Sequence, residues 1–365
     1  MSLNNKQRIR MTLGAALVLI YGQAQAEDAG VQIKWNGFLT AGAAATNVGL
    51  YYNEKYNEDG STDDTRAGLV ASAQLNREWW AGMQLISHGT GTDDPGRTVT
   101  LDWAYASYRP NDALAVNLGR IKFPTNLISE YFDVGFAYPW IRPPEEFYTH
   151  APLGPNLTAE SINGASVIFT KKFGAGARFA LQPFFGDTNI DDGSQKKMLG
   201  MKASISSDNL EVLAGYTRSN LQLNSLTSAR YVEANDKDLQ TWNVGFSYDR
   251  NVVIYTEYGR STVEDRPEFD STGAYATFGY RFGKYLPHVT YAVFDQDSGL
   301  GQKSTALGVR RELTSFSAFK FEWKRIDPEQ RGTALVGGAQ PAGLFEFMPE
   351  KARVNLYSVS VDFVF

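Results

Sequence analysis

Hydrophobic and polar residues alternate along most of the chain, so that every second residue of many short segments is apolar. In one such segment, Phe319, Phe321 and Trp323 are separated by Lys320 and Glu322. Alternation with a period of two residues is typical of a β-strand with one apolar and one polar face. The pattern predicts 16 strands, at residues 31–39, 69–75, 79–85, 99–105, 114–118, 165–169, 179–185, 199–205, 210–216, 242–248, 252–254, 274–282, 289–293, 307–309, 319–323 and 357–365.

Short turns and long polar loops alternate between these predicted strands. The short turns are 76–78, 109–112, 171–174, 207–209, 249–251, 283–284 and 312–315, and the long loops include 51–65, 186–195, 218–237, 264–270 and 327–351. A barrel that crosses a membrane has this asymmetry, and only a closed sheet satisfies its backbone hydrogen bonds in lipid. We therefore predict an all-β fold: a transmembrane antiparallel up-and-down β-barrel of about 16 strands. A soluble β-sandwich, whose strands also alternate, is the alternative.

The first 26 residues have the features of a secretory signal peptide. Basic residues at the start precede an apolar core of 11 residues, Met11 to Tyr21, and Ala24-Gln25-Ala26 matches a cleavage site. The core is shorter than the roughly 20 residues of a membrane-spanning helix. We expect residues 1–26 to be removed and residues 27–365 to form the barrel. An N-terminal membrane anchor is the alternative.

One segment, residues 122–160, interrupts the alternation. It contains six of the 14 prolines and eight aromatic residues: Pro124, Pro139, Pro143, Pro144, Pro152, Pro155, Phe123, Tyr131, Phe132, Phe136, Tyr138, Trp140, Phe147 and Tyr148. Proline removes a backbone donor and fixes φ, so this segment cannot form part of a sheet. Its aromatic side chains favour burial. We therefore expect the segment, as the third long connection, to fold into the barrel.

Composition narrows the chemistry that the chain can perform. Because the chain has no cysteine, it has neither thiolate nucleophiles nor cysteine-ligated metal sites. Its three histidines are far apart in the sequence, and the net charge of −5 argues against a nucleic-acid partner. We expect no catalytic function, no metal and no cofactor.

Two sequence features resemble a known family. The last strand, Tyr357-Ser-Val-Ser-Val-Asp-Phe-Val-Phe365, resembles the terminal strand of Gram-negative outer-membrane barrels, and Leu118-Gly-Arg-Ile-Lys-Phe-Pro124 is similar to the entry of the third loop in 16-stranded porins. The resemblance implies an outer-membrane location, contact with lipid and lipopolysaccharide, and a homotrimer. It implies that the barrel-assembly machinery recognises the terminal strand, in which we single out Tyr357, Phe363 and Phe365. It also implies passive diffusion of small hydrophilic solutes and ions past an inserted constriction loop.

The charged residues of the loop and of the predicted inner face are the candidate site. The candidates in the constriction loop are Glu130, Tyr131, Asp133, Tyr138, Trp140, Arg142, Glu145 and Glu146. The candidates on the pore wall are Lys34, Asp102, Arg178, Lys202, Glu257, Arg281, Arg310 and Lys320. Five acidic residues against two basic ones in segment 122–160 predict weak charge selectivity, with a preference for cations.

Two other functions are compatible with the same barrel. The first is a substrate-specific channel, in which Tyr131, Tyr138, Trp140 and Tyr148 form a stacking track for a sugar or an aromatic acid. The second is an outer-membrane enzyme or adhesin with a plugged barrel.

Overall fold

The computed structural model describes residues 31–89, 97–149, 160–190, 193–224, 232–331, 342–345 and 347–365. The predicted leader lies outside these residues, so its identification as a signal peptide stays a prediction.

The described chain forms 16 β-strands. They are β1 (Gln32–Thr46), β2 (Arg66–Gln74), β3 (Trp79–Gly89), β4 (Arg97–Asn111), β5 (Leu114–Lys122), β6 (Ser161–Lys172), β7 (Arg178–Ile190), β8 (Gly193–Ser206), β9 (Leu210–Leu223), β10 (Asp238–Asp249), β11 (Val252–Val263), β12 (Ser271–Tyr280), β13 (Tyr285–Gln296), β14 (Leu300–Thr314), β15 (Ser317–Gln330) and β16 (Val354–Val364). Each overlaps one of the strands predicted from alternation.

The strands close into one antiparallel barrel in which each strand pairs with its neighbours in sequence. Closure occurs between the first and last strands, where Phe38 of β1 lies opposite Val364 of β16. On its other side β1 pairs with β2, and Lys34 lies opposite Ser72. The prediction of a 16-stranded up-and-down barrel is therefore confirmed.

The two faces of the sheet differ in chemistry. Outward-facing side chains are large, apolar and exposed, such as Leu199 with 63% of its surface accessible. On β15 the apolar Phe319 and Phe321 are exposed, whereas the intervening Lys320 is only 1% exposed. A β-sandwich would bury its apolar face in a core, so this arrangement excludes the alternative fold.

Several strands extend well beyond the alternating segments that predicted them. Only residues 307–309 of β14 were predicted, but the strand starts at Leu300. Residues 301–304 read Gly-Gln-Lys-Ser and have no apolar face. Their strand conformation comes from pairing with β15, where Gly301 lies opposite Glu329, and pairing of this kind is not visible in local periodicity.

Helical structure in the described residues is limited to short elements. They are single 3₁₀ turns at Ser129–Tyr131, Gly135–Ala137, Gly174–Gly176, Val232–Ala234 and Pro267–Phe269, and the four-residue helix α1 (Glu145–Tyr148). In this part of the chain no helix is long and apolar enough to cross a membrane.

The barrel interior contains a hydrophobic cluster that joins the wall to the segment between β5 and β6. Leu127, Ile128, Tyr138 and Trp140 of the segment pack against wall residues from β9, β11, β12 and β13. Those wall residues are Leu213, Val253, Tyr255, Tyr275, Leu286 and Ala292. The described residues of the segment that join this cluster therefore lie inside the barrel, as the aromatic composition predicted.

Candidate functional site: the barrel interior

Trp140 attaches the inserted segment, residues 123–160, to the wall of β12 and β13. Its indole Nε1–H lies 3.0 Å from the Thr277 hydroxyl and 2.9 Å from the Thr290 hydroxyl. The ring also meets Tyr255 and Tyr275 edge-on, with centroids 5.1 Å and 5.7 Å away. Because Trp140 is only 1% exposed, it holds the segment in place and does not face a passing solute.

Lys320 of β15 binds the same part of the segment through its backbone. The Lys320 ammonium donates hydrogen bonds to the carbonyl oxygens of Gly135 at 2.6 Å and of Trp140 at 2.5 Å. It also forms an ion pair of 3.1 Å with Asp362 of β16. A side chain at Gly135 would collide with Asp362 and Thr40, so glycine permits this close approach.

Lys324 holds two carboxylates at the start of α1. Its ammonium lies 3.0 Å from Glu145 and 3.0 Å from Glu146, and it also donates to the Tyr52 hydroxyl at 3.0 Å. The Gln302 amide donates to Glu146 at 2.6 Å. Burial raises the pKa of Glu145, but the charges of Lys324 and Arg142 outweigh burial and hold this pKa below its usual value.

Arg142 connects the segment to the first long loop. Its guanidinium forms a buried ion pair with Asp64, donates to the Ser358 hydroxyl of β16 at 2.5 Å, and lies 4.6 Å from the centroid of the Tyr56 ring. A planar guanidinium can satisfy an acid, a hydroxyl and an aromatic face at the same time.

Lys122, the last residue of β5, joins Asp102 of β4 to Asp133 and Glu160 of the segment. The Lys122 ammonium lies 2.7 Å from Asp102, 2.8 Å from Asp133 and 3.8 Å from Glu160. Burial raises the pKa of Asp133, but Lys122 outweighs burial and holds this pKa below its usual value. Three carboxylates converge here within 4.8 Å of one another, and the lysine compensates part of their charge.

Glu257 of β11 is buried and binds the segment through uncharged donors. It accepts hydrogen bonds from the Leu127 backbone N–H at 2.9 Å and from the Tyr275 hydroxyl at 2.8 Å. The Tyr148 hydroxyl also donates to it. Glu257 therefore fixes the segment at two points, near its start and at the end of α1.

A cavity of about 1840 Å³ lies between the inserted segment and the short-turn end of the barrel. Glu130 and Tyr131 of the segment line it, together with four of the predicted wall cations: Arg178, Lys202, Arg281 and Arg310. Lys202 pairs with Glu211 at 3.6 Å, and Arg281 pairs with Asp249 at 2.8 Å and Glu312 at 3.3 Å. Both signs of charge therefore face this cavity.

The structure divides the sequence-predicted residues into two groups. One group lines the cavity: Glu130, Tyr131, Arg178, Lys202, Arg281 and Arg310. The other group is buried at contacts between the segment and its surroundings: Asp102, Asp133, Tyr138, Trp140, Arg142, Glu145, Glu146, Glu257 and Lys320. Lys34 lies on β1 outside both groups. Tyr357 and Phe363 are exposed on the outer face of β16, whereas Phe365, which is also exposed, lines the cavity.

This division changes the basis of the predicted cation preference. Asp133, Glu145 and Glu146 are each paired with a lysine and buried, so of the segment's described acids only Glu130 lines the cavity. Three of the segment's acids therefore compensate buried cations, and Glu130 alone of the described acids contributes negative charge to the cavity lining. Similarly, Tyr138 and Trp140 are covered by the wall, and of the proposed stacking track only Tyr131 lines the cavity.

Sequence reasoning missed the residues of the first long loop that hold the segment. Tyr52 and Asp64 lie in a polar loop without alternation, and their importance comes from contacts with Glu145 and Arg142, about 80 to 90 residues away. Lys324 lies on the polar face of β15, so its inward orientation was predictable, but its partners were not.

Comparison with known proteins identifies the fold. No family model matches the sequence, and no curated protein matches it. An anion-selective porin from Comamonas acidovorans superimposes with a TM-score of 0.59 at 14% identity, covering 92% of this chain and 100% of that one. OmpF of Salmonella typhi in complex with daunomycin superimposes with a TM-score of 0.59 at 14% identity, covering 92% of this chain and 98% of that one. A trimer form of OmpT, an outer-membrane protein of Vibrio cholerae, superimposes with a TM-score of 0.55 at 13% identity, covering 92% of this chain and 99% of that one. The chain therefore has the barrel fold of outer-membrane porins.

Proposed function

We propose that this protein is an outer-membrane channel for the passive diffusion of small hydrophilic solutes and ions, and that it has no catalytic function. One observation carries the proposal: a closed barrel with an apolar outer face encloses a cavity of about 1840 Å³ whose lining includes many charged and polar side chains. Lipid accepts the outer face, and water and solutes enter the polar interior.

The dimensions of the strands support a location in a membrane. The strands contain 9 to 15 residues, and about 9–11 tilted residues cross the hydrocarbon core. Closure leaves no unpaired edge in lipid. A Gram-negative outer membrane, with contacts to lipid and lipopolysaccharide, fits the porin fold. The exposed aromatic residues of β16 would then serve the barrel-assembly machinery.

We also propose a homotrimer, because the fold is shared with a trimeric outer-membrane protein. Chemical crosslinking in detergent, followed by mass measurement, tests this assignment. A purely monomeric preparation that conducts would contradict it.

Within this channel we assign two roles to the predicted residues. The segment, fixed by Trp140, Lys320 and Lys324, narrows the lumen. Glu130 and the cavity-lining cations bias the entry of charged solutes, because charges at a narrow passage act on ions at short range. With both signs present, the expected charge selectivity is weak.

Conductance in planar bilayers tests the proposed function. Purified protein should insert in discrete steps, each with a linear current–voltage relation. A variant in which a short glycine-serine linker replaces residues 123–160 should have a larger conductance, because the segment occupies the lumen. Heat-unfolded protein is the control. Folded protein that inserts into the bilayer without conducting would contradict the proposal.

A further inference from the structure

Arg310 of β14 is a buried cation with no anionic partner among the described residues. Its side chain lines the cavity beneath the inserted segment, and the residue is only 8% exposed. The Nε–H donates to no described acceptor. The guanidinium lies 4.7 Å from the centroid of the Phe136 ring, and this ring also lines the cavity. Buried polar groups almost always have a partner, so Arg310 requires an explanation.

Three carboxylates interact with the charge of Arg310: Glu312, Asp362 and Asp249. Each of them forms an ion pair with another cation. Arg281 lies 3.3 Å from Glu312 and 2.8 Å from Asp249. Lys320 lies 3.1 Å from Asp362. These three acids are therefore already paired with other cations.

Two other lysines that line the same cavity have anionic partners. Lys202 pairs with Glu211 at 3.6 Å, and Lys172 at the cavity mouth pairs with Asp112 at 3.0 Å. Arg310 thus differs from Lys202 and Lys172 because it is buried and has no ion-pair partner among the described residues.

We propose that Arg310 is a binding site for the carboxylate of a small organic anion that enters the cavity. A guanidinium matches a carboxylate through two parallel hydrogen bonds, and a low local dielectric strengthens such a charge-assisted pair. Phe136, stacked on Arg310, provides aromatic surface beside the site, and Tyr131 lines the same cavity. This inference rests on the proposed function, since it names the class of solute that the channel retains.

Binding of benzoate and of its uncharged analogue benzamide tests the site. The two probes have nearly the same shape and differ in charge. Isothermal calorimetry on the folded protein in detergent measures binding without requiring an open channel. Conductance in potassium chloride without either probe tests the channel function separately. A failure of the proposed binding site can therefore be distinguished from a failure of the proposed channel function.

Three variants separate charge from geometry. Arg310→Gln removes the guanidinium, and Arg310→Lys keeps the charge but loses the planar pair of donors. Lys303→Gln, the control, removes an exposed charge from the same strand at a residue that does not line the cavity. Loss of one charge-assisted pair weakens binding by about tenfold or more. We expect this loss in Arg310→Gln, a smaller loss in Arg310→Lys, and wild-type affinity in Lys303→Gln. Discrete conductance steps show that each variant is folded.

Saturable benzoate binding that depends on Arg310, together with negligible benzamide binding, would support the site. Equal affinities for the two probes would overturn it, as would wild-type benzoate affinity in Arg310→Gln. An absence of benzoate binding to the wild-type protein would also overturn it.

Discussion

The contact between Lys324 and the two carboxylates of α1 should control whether the inserted segment stays attached to the wall. In Lys324→Met, Glu145 and Glu146 would remain buried without their shared cation, since their side chains are 4% and 0% exposed. Removing one partner of a buried ion pair costs about 3–5 kcal/mol. Release of α1 from the wall should therefore become easier by a factor of about one hundred to a few thousand.

Hydrogen–deuterium exchange measures this release directly. Amides of residues 135–149 should exchange faster by that factor in Lys324→Met. Amides of the β7–β8 pair, which has no contact with Lys324, serve as an internal reference and should keep their wild-type rates. The single-channel current should also become noisier, because the segment would move in the lumen.

A triple variant, Lys324→Met with Glu145→Gln and Glu146→Gln, is the matched control. It removes all three charges and leaves no uncompensated carboxylate, and such replacements are often close to neutral. Its exchange rates should return to within about tenfold of the wild type. Unchanged exchange in the single variant, or equal acceleration in both variants, would refute the assignment of Lys324 as an electrostatic anchor.

Two further predictions concern the same segment. Glu145 and Asp133 have pKa values held below their usual range, so their pairing should stabilise the attached segment fully at neutral pH and lose effect only as the pH falls below about 4. Because the intrinsic exchange rate itself depends on pH, the measurement is the protection factor, and protection factors that already fall between pH 7 and 5 would contradict this. Trp140→Phe removes an N–H that faces two threonine hydroxyls, and a lost hydrogen bond of about 1–1.5 kcal/mol should accelerate exchange around residue 140 by about tenfold. Wild-type exchange in this variant would show that the ring alone fixes the segment.

The strands were predictable because alternation is a local property of the sequence. Phe319, Phe321 and Trp323 define an outward face without reference to any other part of the chain. Where the inner and outer residues are both polar, as in residues 301–304, the sequence does not mark a strand and pairing with β15 determines it.

The candidate site was only partly predictable. Strand parity placed Asp102 and Lys320 on the inner face, and the aromatic composition of the segment indicated its burial. Neither property shows which inner charges the segment covers. Trp140 meets Thr277 and Thr290 across 137 and 150 residues of sequence, and such contacts depend on how the whole barrel closes. For this reason the predicted acidic constriction became a set of buried ion pairs.

Solute uptake by proteoliposomes tests the central claim most directly. Liposomes containing the purified protein should swell in solutions of small sugars, at rates that decrease steadily as the solute becomes larger. Liposomes prepared with heat-unfolded protein should not swell. Correctly inserted, folded protein that admits none of these solutes would contradict the assignment of the barrel as a diffusion channel.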